Sequence, residues 1–321
     1  MEYCVSIRTL GTAGEKYQTL LDSLHRQTIK PKKILVYIPF EYELPKETVG
    51  CEEYIRCPKG MITQRSLPFE EIDTDFILFC DDDLWLADNF VEDLYKGLQE
   101  NDGDCIAPDV FRVQEMSTMG MIKKAIAGYA FPRKDDGWAF RIMRNAGYTY
   151  NKKPQKAVLP TESAAFACLL IKKNVYQAIH FEDERWMEDF GYPLGDDLLF
   201  FNKLFIMGFR TFIHFHAGIK HLDAGGGSHS FVVDRFIKGI ALDFVIQYRI
   251  KFSLRNNSIF EKILCICSTF IKNVEQLFFT FCKELLKGNF VLIDYFKGIR
   301  DGIKYIHSEK YKQIPAFDAY L

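Results

Sequence analysis

Five apolar residues, FILFC (76–80), run straight into Asp81, Asp82 and Asp83, and the chain then resumes with Leu84 and Trp85. Three adjacent carboxylates at the end of a buried strand repel one another and lose hydration, and a divalent cation offsets both costs. Oxygen ligands of this kind suit Mg²⁺ or Mn²⁺. Three further groups stand at distances that invite chemistry. Lys59-Gly60 and Gln64-Arg65 lie just upstream, Gly195-Asp196-Asp197 precedes an apolar helical stretch, and His221 is followed by Gly225-Gly226-Gly227-Ser228. Each has a plain structural alternative. Asp residues cap helices well, a cation at a helix start is often only solvated, and a single loop histidine is common. His214 and His216 share a strand face and could join His221 around a metal, but no cysteine or acid accompanies them at a zinc-like spacing.

The elements that must carry these residues alternate. YCVSIRTL (3–10), KILVYIPF (33–40), YIRC (54–57), DFILFC (75–80) and CIAP (105–108) have strand character, separated by helical patterns over 15–27, 61–72 and 89–99, with Pro68 kinking or splitting the second. Such alternation predicts βαβ units and a mostly parallel sheet, with ligands bound beyond the C-terminal ends of the strands. Asp81–Asp83 stand at such an end. Residues 112–156 show no clear period and read as a lid or substrate-binding segment. SAAFACLLIKK (163–173) and RTFIHFHAGI (210–219) return to strands, with a helix between them over 198–207. From about Phe231 the pattern is helical throughout. Apolar residues in steps of three and four over 259–286 predict a long amphipathic helix, and 291–306 a second.

Taken in order, the basic Lys59-Gly60…Arg65 stretch, the strand-end Asp81-Asp82-Asp83, the Asp196-Asp197 pair and His221 with its small residues resemble the family 2 glycosyltransferases. The resemblance covers about residues 3–230, and YRIKFSLRNN (248–257) is similar to the entry into C-terminal helices in many bacterial members. It implies an α/β GT-A (Rossmann-like) fold: a mostly parallel central sheet flanked by helices over residues 1–230, followed by a C-terminal helical extension over 231–321. It implies an inverting, Mn²⁺- or Mg²⁺-dependent glycosyltransferase of bacterial surface-polysaccharide synthesis. Such an enzyme moves a sugar from a nucleotide-diphosphate donor to a hydroxyl of a glycan or lipid-linked acceptor. Carried over residue by residue, Asp83 is the first metal ligand. Asp81 contacts ribose or completes the metal shell, with Asp82 competing for either role, and His221 is a third ligand or a diphosphate contact. Asp197, the second acid of its pair, is the general base. Arg8 and Thr9 end the first strand, where the nucleotide base is held, and Lys59, Gly60 and Arg65 are diphosphate or base contacts. Trp186, Glu188 and Asp189 fall where an acceptor sugar could stack, or else serve packing. The second strand ends Ile38-Pro39-Phe40-Glu41 where many members carry Asp-Asp, so the base contact there does not carry over.

Charge divides the chain. Residues 1–234 hold 27 Lys and Arg against 35 Asp and Glu, and residues 235–321 hold 14 against 8. An acidic body offers no nucleic-acid surface. The basic tail, with many of the chain's 29 Phe, suits packing on the body, dimerisation or an anionic membrane surface. Nine cysteines without a C-x-x-C pair favour reduced, buried thiols. With no leader pattern at the N-terminus and ILCICSTFI (263–271) bracketed by Lys262 and Lys272, a cytoplasmic protein is expected, peripheral on the inner face of the plasma membrane and without a spanning helix. Two rivals remain. A sugar-phosphate nucleotidyltransferase needs a basic glycine-rich loop after the first strand, which Arg8–Gly14 only approaches. A non-catalytic glycan-binding or membrane scaffold would have a broken acid set.

Overall fold

The structure, a computed structural model, describes residues 1–112, 115–126, 130–222, 232–254, 258–287 and 291–316. In chain order the body contains β1 (Tyr3–Arg8), α1 (Glu15–Arg26), β2 (Lys33–Pro39), β3 (Glu52–Cys57), α2 (Met61–Arg65), β4 (Phe76–Asp81), β5 (Leu84–Leu86), α3 (Phe90–Glu100) and β6 (Cys105–Pro108). There follow α4 (Thr118–Ile126), β7 (Ala130–Arg133), β8 (Phe140–Ile142), β9 (Tyr148–Asn151), β10 (Val158–Pro160), β11 (Cys168–Lys172) and α5 (Lys173–Ala178). A 3₁₀ segment (Phe181–Phe190), α6 (Asp196–Ile206), β12 (Thr211–His214) and β13 (Ile219–His221) complete it. The tail is α7 (Val233–Tyr248), a π-helical turn (Arg249–Ser253), α8 (Ile259–Lys287), α9 (Leu292–Ile306) and α10 (Glu309–Lys312).

Eight strands form one sheet in the order β10-β12-β6-β11-β4-β1-β2-β3. β4, β1, β2 and β3 are parallel, as are β6 and β12, while β11 runs against β4 and β6, and β10 against β12. Near-continuous apolar runs make this sheet buried on both faces. Ile77 and Phe79 of β4 point into one core, with Leu35, Leu169 and helices α5 and α6. Leu78 and Cys80 point into the other, with Val5, Val36, α1 and α3.

Three places differ from the sequence expectation. The helix expected over 61–72 is α2 alone and stops three residues short of Pro68, which disfavours helical backbone before it. The segment 112–156 is not one lid. It holds α4 and a three-stranded sheet in the order β7-β9-β8, whose strands of three or four residues are too short to show a period. The strand expected over 210–219 is two: β12 joins the large sheet, whereas β13 pairs antiparallel with β5, His221 opposite Leu84.

The tail is helical as expected, but α8 turns its apolar face away from the body. Its stretch Ile259–Cys282 is long and apolar enough, by length and composition, to cross a membrane, which corrects the expectation that no stretch would be. The π-helical turn locks the tail onto the 3₁₀ segment. Arg249 donates through Nε (3.1 Å) and Nη2 (2.7 Å) to the buried carboxylate of Glu184, which also takes Lys203 Nζ at 3.3 Å and Trp186 Nε1 at 2.7 Å. Arg249 Nη1 donates to the Pro315 carbonyl at 2.6 Å.

Candidate active site

The three aspartates part company at the end of β4, each taking a different partner. Parallel register sets Arg8 directly opposite Asp81, and the Arg8 guanidinium reaches Asp81 Oδ1 from Nε at 2.9 Å and Nη2 at 2.8 Å. Thr9 Oγ1, one residue on, donates to Asp82 Oδ2 at 2.5 Å and accepts the Gly11 amide at 2.9 Å. Burial pushes the Asp82 carboxyl up to about 6, and its two acidic neighbours add to this while Thr9 and Arg8 oppose it. Asp83 turns the other way. The β5–β13 pairing carries His221 beside it, with Nδ1 3.6 Å from Asp83 Oδ2, and the Leu222 amide donates to the Asp83 carbonyl at 2.8 Å. That Nδ1 is buried and has no hydrogen-bond partner among the described residues. Phe111 covers the imidazole, ring centroids 5.6 Å apart.

Arg65, the last residue of α2, bridges this turn to the second acid pair. Its Nη2 lies 3.6 Å from Asp81 Oδ1 and its Nη1 pairs with Asp196 Oδ2. The guanidinium stacks on Phe166 at 4.5 Å, and burial, with Arg8 close by, pulls it down to about 9. Asp196 is thereby consumed as a buried ion-pair partner. Asp197, half-buried in the first turn of α6, accepts the Leu198 amide at Oδ1 (2.7 Å). Burial raises its pKa against the pull of that amide and of Arg65. Tyr148 of β9 borders the same space: its phenol is pushed up to about 12 by burial and then by Asp197. The small sheet thus closes over the base side of the site.

The remaining predicted residues lie further out. Gly60 starts α2 with its Cα against Glu188, so closely that any Cβ would collide with the carboxylate. Glu188 accepts the Thr63 amide at 2.8 Å and Thr63 Oγ1 at 2.9 Å, so this helix start already holds an anion of the chain's own. Lys59 bonds the Tyr42 hydroxyl at 2.7 Å on the exposed rim. Trp186 packs against Tyr305 and Tyr311, and Asp189 takes Tyr305 OH and Lys310 Nζ, each at 2.6 Å. These residues seat the tail, which is the packing alternative of the two readings. Gly225–Ser228 lie outside the described residues. Sequence reasoning missed Phe111, Phe166, Tyr148 and Glu184, none of which has a local pattern.

Among the described residues no three His, Cys, Asp or Glu side chains form a ready metal cage. The unpartnered imidazole nitrogen facing Asp83 nevertheless fits a cation that takes one carboxylate and one imidazole from protein and the rest from phosphate and water. Asp81, by contrast, is engaged by two arginines.

Residues 50–177 match glycosyl transferase family 2. No curated protein sequence matches the chain. Among solved structures, S. aureus TarS 1-349 superposes with a TM-score of 0.52 at 13% identity, covering 95% of this chain and 80% of that one. A structure of the same protein in complex with UDP-GlcNAc gives 0.52 at 12%, covering 98% and 84%. GalNAc-T7 with UDP, GalNAc and Mn²⁺ gives 0.53 at 12%, covering 85% and 55%. The shared fold is the GT-A fold, and within it residues 50–177 are similar to glycosyl transferase family 2.

Proposed function

We propose that the chain is a metal-dependent, inverting glycosyltransferase that moves a hexosyl or related sugar from a nucleoside-diphosphate donor to a hydroxyl of a glycan or lipid-linked acceptor. We place it in surface-polysaccharide synthesis at the inner face of the plasma membrane. The observation that carries this reading is the division of labour at the strand end: Asp83 beside His221, whose Nδ1 has no hydrogen-bond partner among the described residues, on one side, and Asp197 across Arg65 on the other. Asp83 and His221 would hold the divalent cation, which would stabilise charge on a departing diphosphate. Arg8, held by Asp81, and Thr9, held by Asp82, form a fixed wall for the nucleotide. Arg65 keeps Asp81 and Asp196 in place and lends positive charge to the diphosphate side.

The bond from the anomeric carbon to the diphosphate breaks as the acceptor oxygen bonds the opposite face, which inverts the centre. Asp197 takes the acceptor hydroxyl proton at Oδ2, since Oδ1 is engaged by the Leu198 amide. Its raised pKa suits a base that must keep the proton it receives. The UDP in both neighbours puts uridine nucleotides first for trial.

The nucleotidyltransferase alternative fares worse. Gly11 gives its amide to Thr9 Oγ1, and Arg8, the loop's cation, is spent on Asp81. Calorimetry of a panel of nucleoside diphosphates with Mn²⁺, on wild type and Asp83→Ala, tests the proposal. Binding of one nucleotide that needs the metal and is lost in the variant supports it. If wild type binds none of them with any divalent ion, it fails.

A further inference from the structure

α8 is inside out for a helix in water. Ile259, Phe260, Ile263, Ile266, Phe270 and Phe278 are 51–79% exposed. The side facing the body is polar: Lys272, Gln276 and Glu284 are buried. Lys272 pairs with Asp243 of α7 at 3.3 Å, and Tyr295 of α9 donates to Gln276 at 2.8 Å and Asn273 at 2.9 Å. Glu284 accepts the Val291 amide, and at the other end Glu261 takes Arg144 of the body through two bonds of 3.0 and 3.1 Å. The helix is therefore pinned to the protein at its start, middle and end. At about 1.5 Å per residue, Ile259–Cys282 lays an apolar strip about 36 Å long along one side of the molecule. Water penalises such a strip, and an acyl layer does not. Pins along its whole length exclude an upright, spanning pose and fit a helix lying in the interface. α9 continues the surface with exposed Ile293 and Phe296 beside exposed Lys297 and Arg300.

At the N-terminal end of the strip, a cavity of about 630 Å³ opens between the small sheet and α8. Arg133, Arg141, Arg144 and Lys251 line it; Arg133 pairs with Asp136, Arg141 with Glu162 at 3.3 Å and Arg144 with Glu261, so four cations meet three carboxylates. Burial lowers the Arg133 guanidinium and the Arg141 charge adds to this, while Asp135 and Glu162 oppose it. An anion between the two arginines would relieve their repulsion.

We propose that α8 lies in the plane of an anionic membrane, with its Phe and Ile side chains among the acyl chains and a lipid headgroup phosphate seated in the Arg133–Arg141–Arg144 cavity. The inference rests on the preceding reading only for why a membrane would be useful, and it stands whichever sugar is moved.

The full chain is floated with phosphatidylcholine vesicles, with and without phosphatidylglycerol. Binding is expected with the anionic vesicles. It should fall by at least about tenfold in Phe270→Glu/Phe278→Glu and by about fivefold in Arg141→Gln, which leaves the Arg144–Glu261 pin in place. Glycerol phosphate in solution should compete only weakly, because it lacks the acyl contribution. Nucleotide binding by the same variants shows that they are folded, and it separates failure here from failure of the glycosyltransferase reading. Equal binding to both vesicles would overturn the headgroup site. No binding to either would overturn the membrane, and a lipid-free dimer that the Phe→Glu variant dissociates would assign the face to a second copy of the chain instead.

Discussion

Two clusters of charge, one centred on Glu184 of the 3₁₀ segment and one at the end of β4, are balanced in opposite ways. Around Glu184, one carboxylate is met by Arg249, Lys203 and the Trp186 indole, and the cations hold it down at about 2. At the end of β4, five aspartates share Arg8 and Arg65, Asp82 is pushed up to about 6, and Asp197 is raised as well. The first cluster is closed, and its effect is to fix the tail on the body. Among the described residues, the second carries an excess of negative charge. Charge density alone thus does not tell the two clusters apart; the completeness of its balance does.

Substitutions can break this contrast. Asp197→Asn should lower kcat by about 10²- to 10⁴-fold with KM for the donor little changed, because only proton acceptance is removed. Steady-state kinetics against donor and acceptor check it, and a variant within a few-fold of wild type would return Asp197 to the role of helix cap. Glu184→Gln should cost about 3–5 kcal/mol, since it leaves Arg249 and Lys203 buried without their counter-charge. Chemical denaturation measures this, and an equal loss from Asp197→Asn would erase the distinction between the clusters. The pH dependence of unfolding sharpens it. The Glu184 carboxyl is depressed, so its stabilisation is fully present above its ordinary value of 4.5 and is lost as pH falls toward about 2. A shift of that size corresponds to about 3 kcal/mol, which should vanish from the acid limb in Glu184→Gln. The smallest effect belongs to the rim. Asp189→Asn, at the partly exposed contact with Tyr305 and Lys310, should cost about 1 kcal/mol or less.

The two clusters were not equally legible. An apolar strand ending in three acids, and a second acid pair opening a helix, are local patterns, so Asp81–Asp83 and Asp196–Asp197 could be picked out by eye. Their pairings could not. β5 and β13 have three residues each, too few to display a period, and their register is what brings His221 to Asp83. Glu184 and Arg249 stand 65 positions apart, and nothing near either residue predicts the other. The segment containing Trp186 and Asp189 therefore suited a sugar subsite as well as a dock for helices, and the structure gives it the second task. In α8 the three-and-four spacing of apolar residues was plain. Periodicity states which side chains share a face, but only neighbouring elements decide which way that face looks.

Glu188 and Asp189 are consecutive, yet the first holds the start of α2 and the second holds α9 and α10. The helix that ends in Arg65 and the outermost tail helices thus hang from one short length of chain. Trimming the tail to obtain a better-behaved protein would also remove the weight that keeps this hanger in place. An inactive truncated enzyme would then reflect a displaced Arg65, and it would be easily mistaken for proof that the missing helices touch substrate.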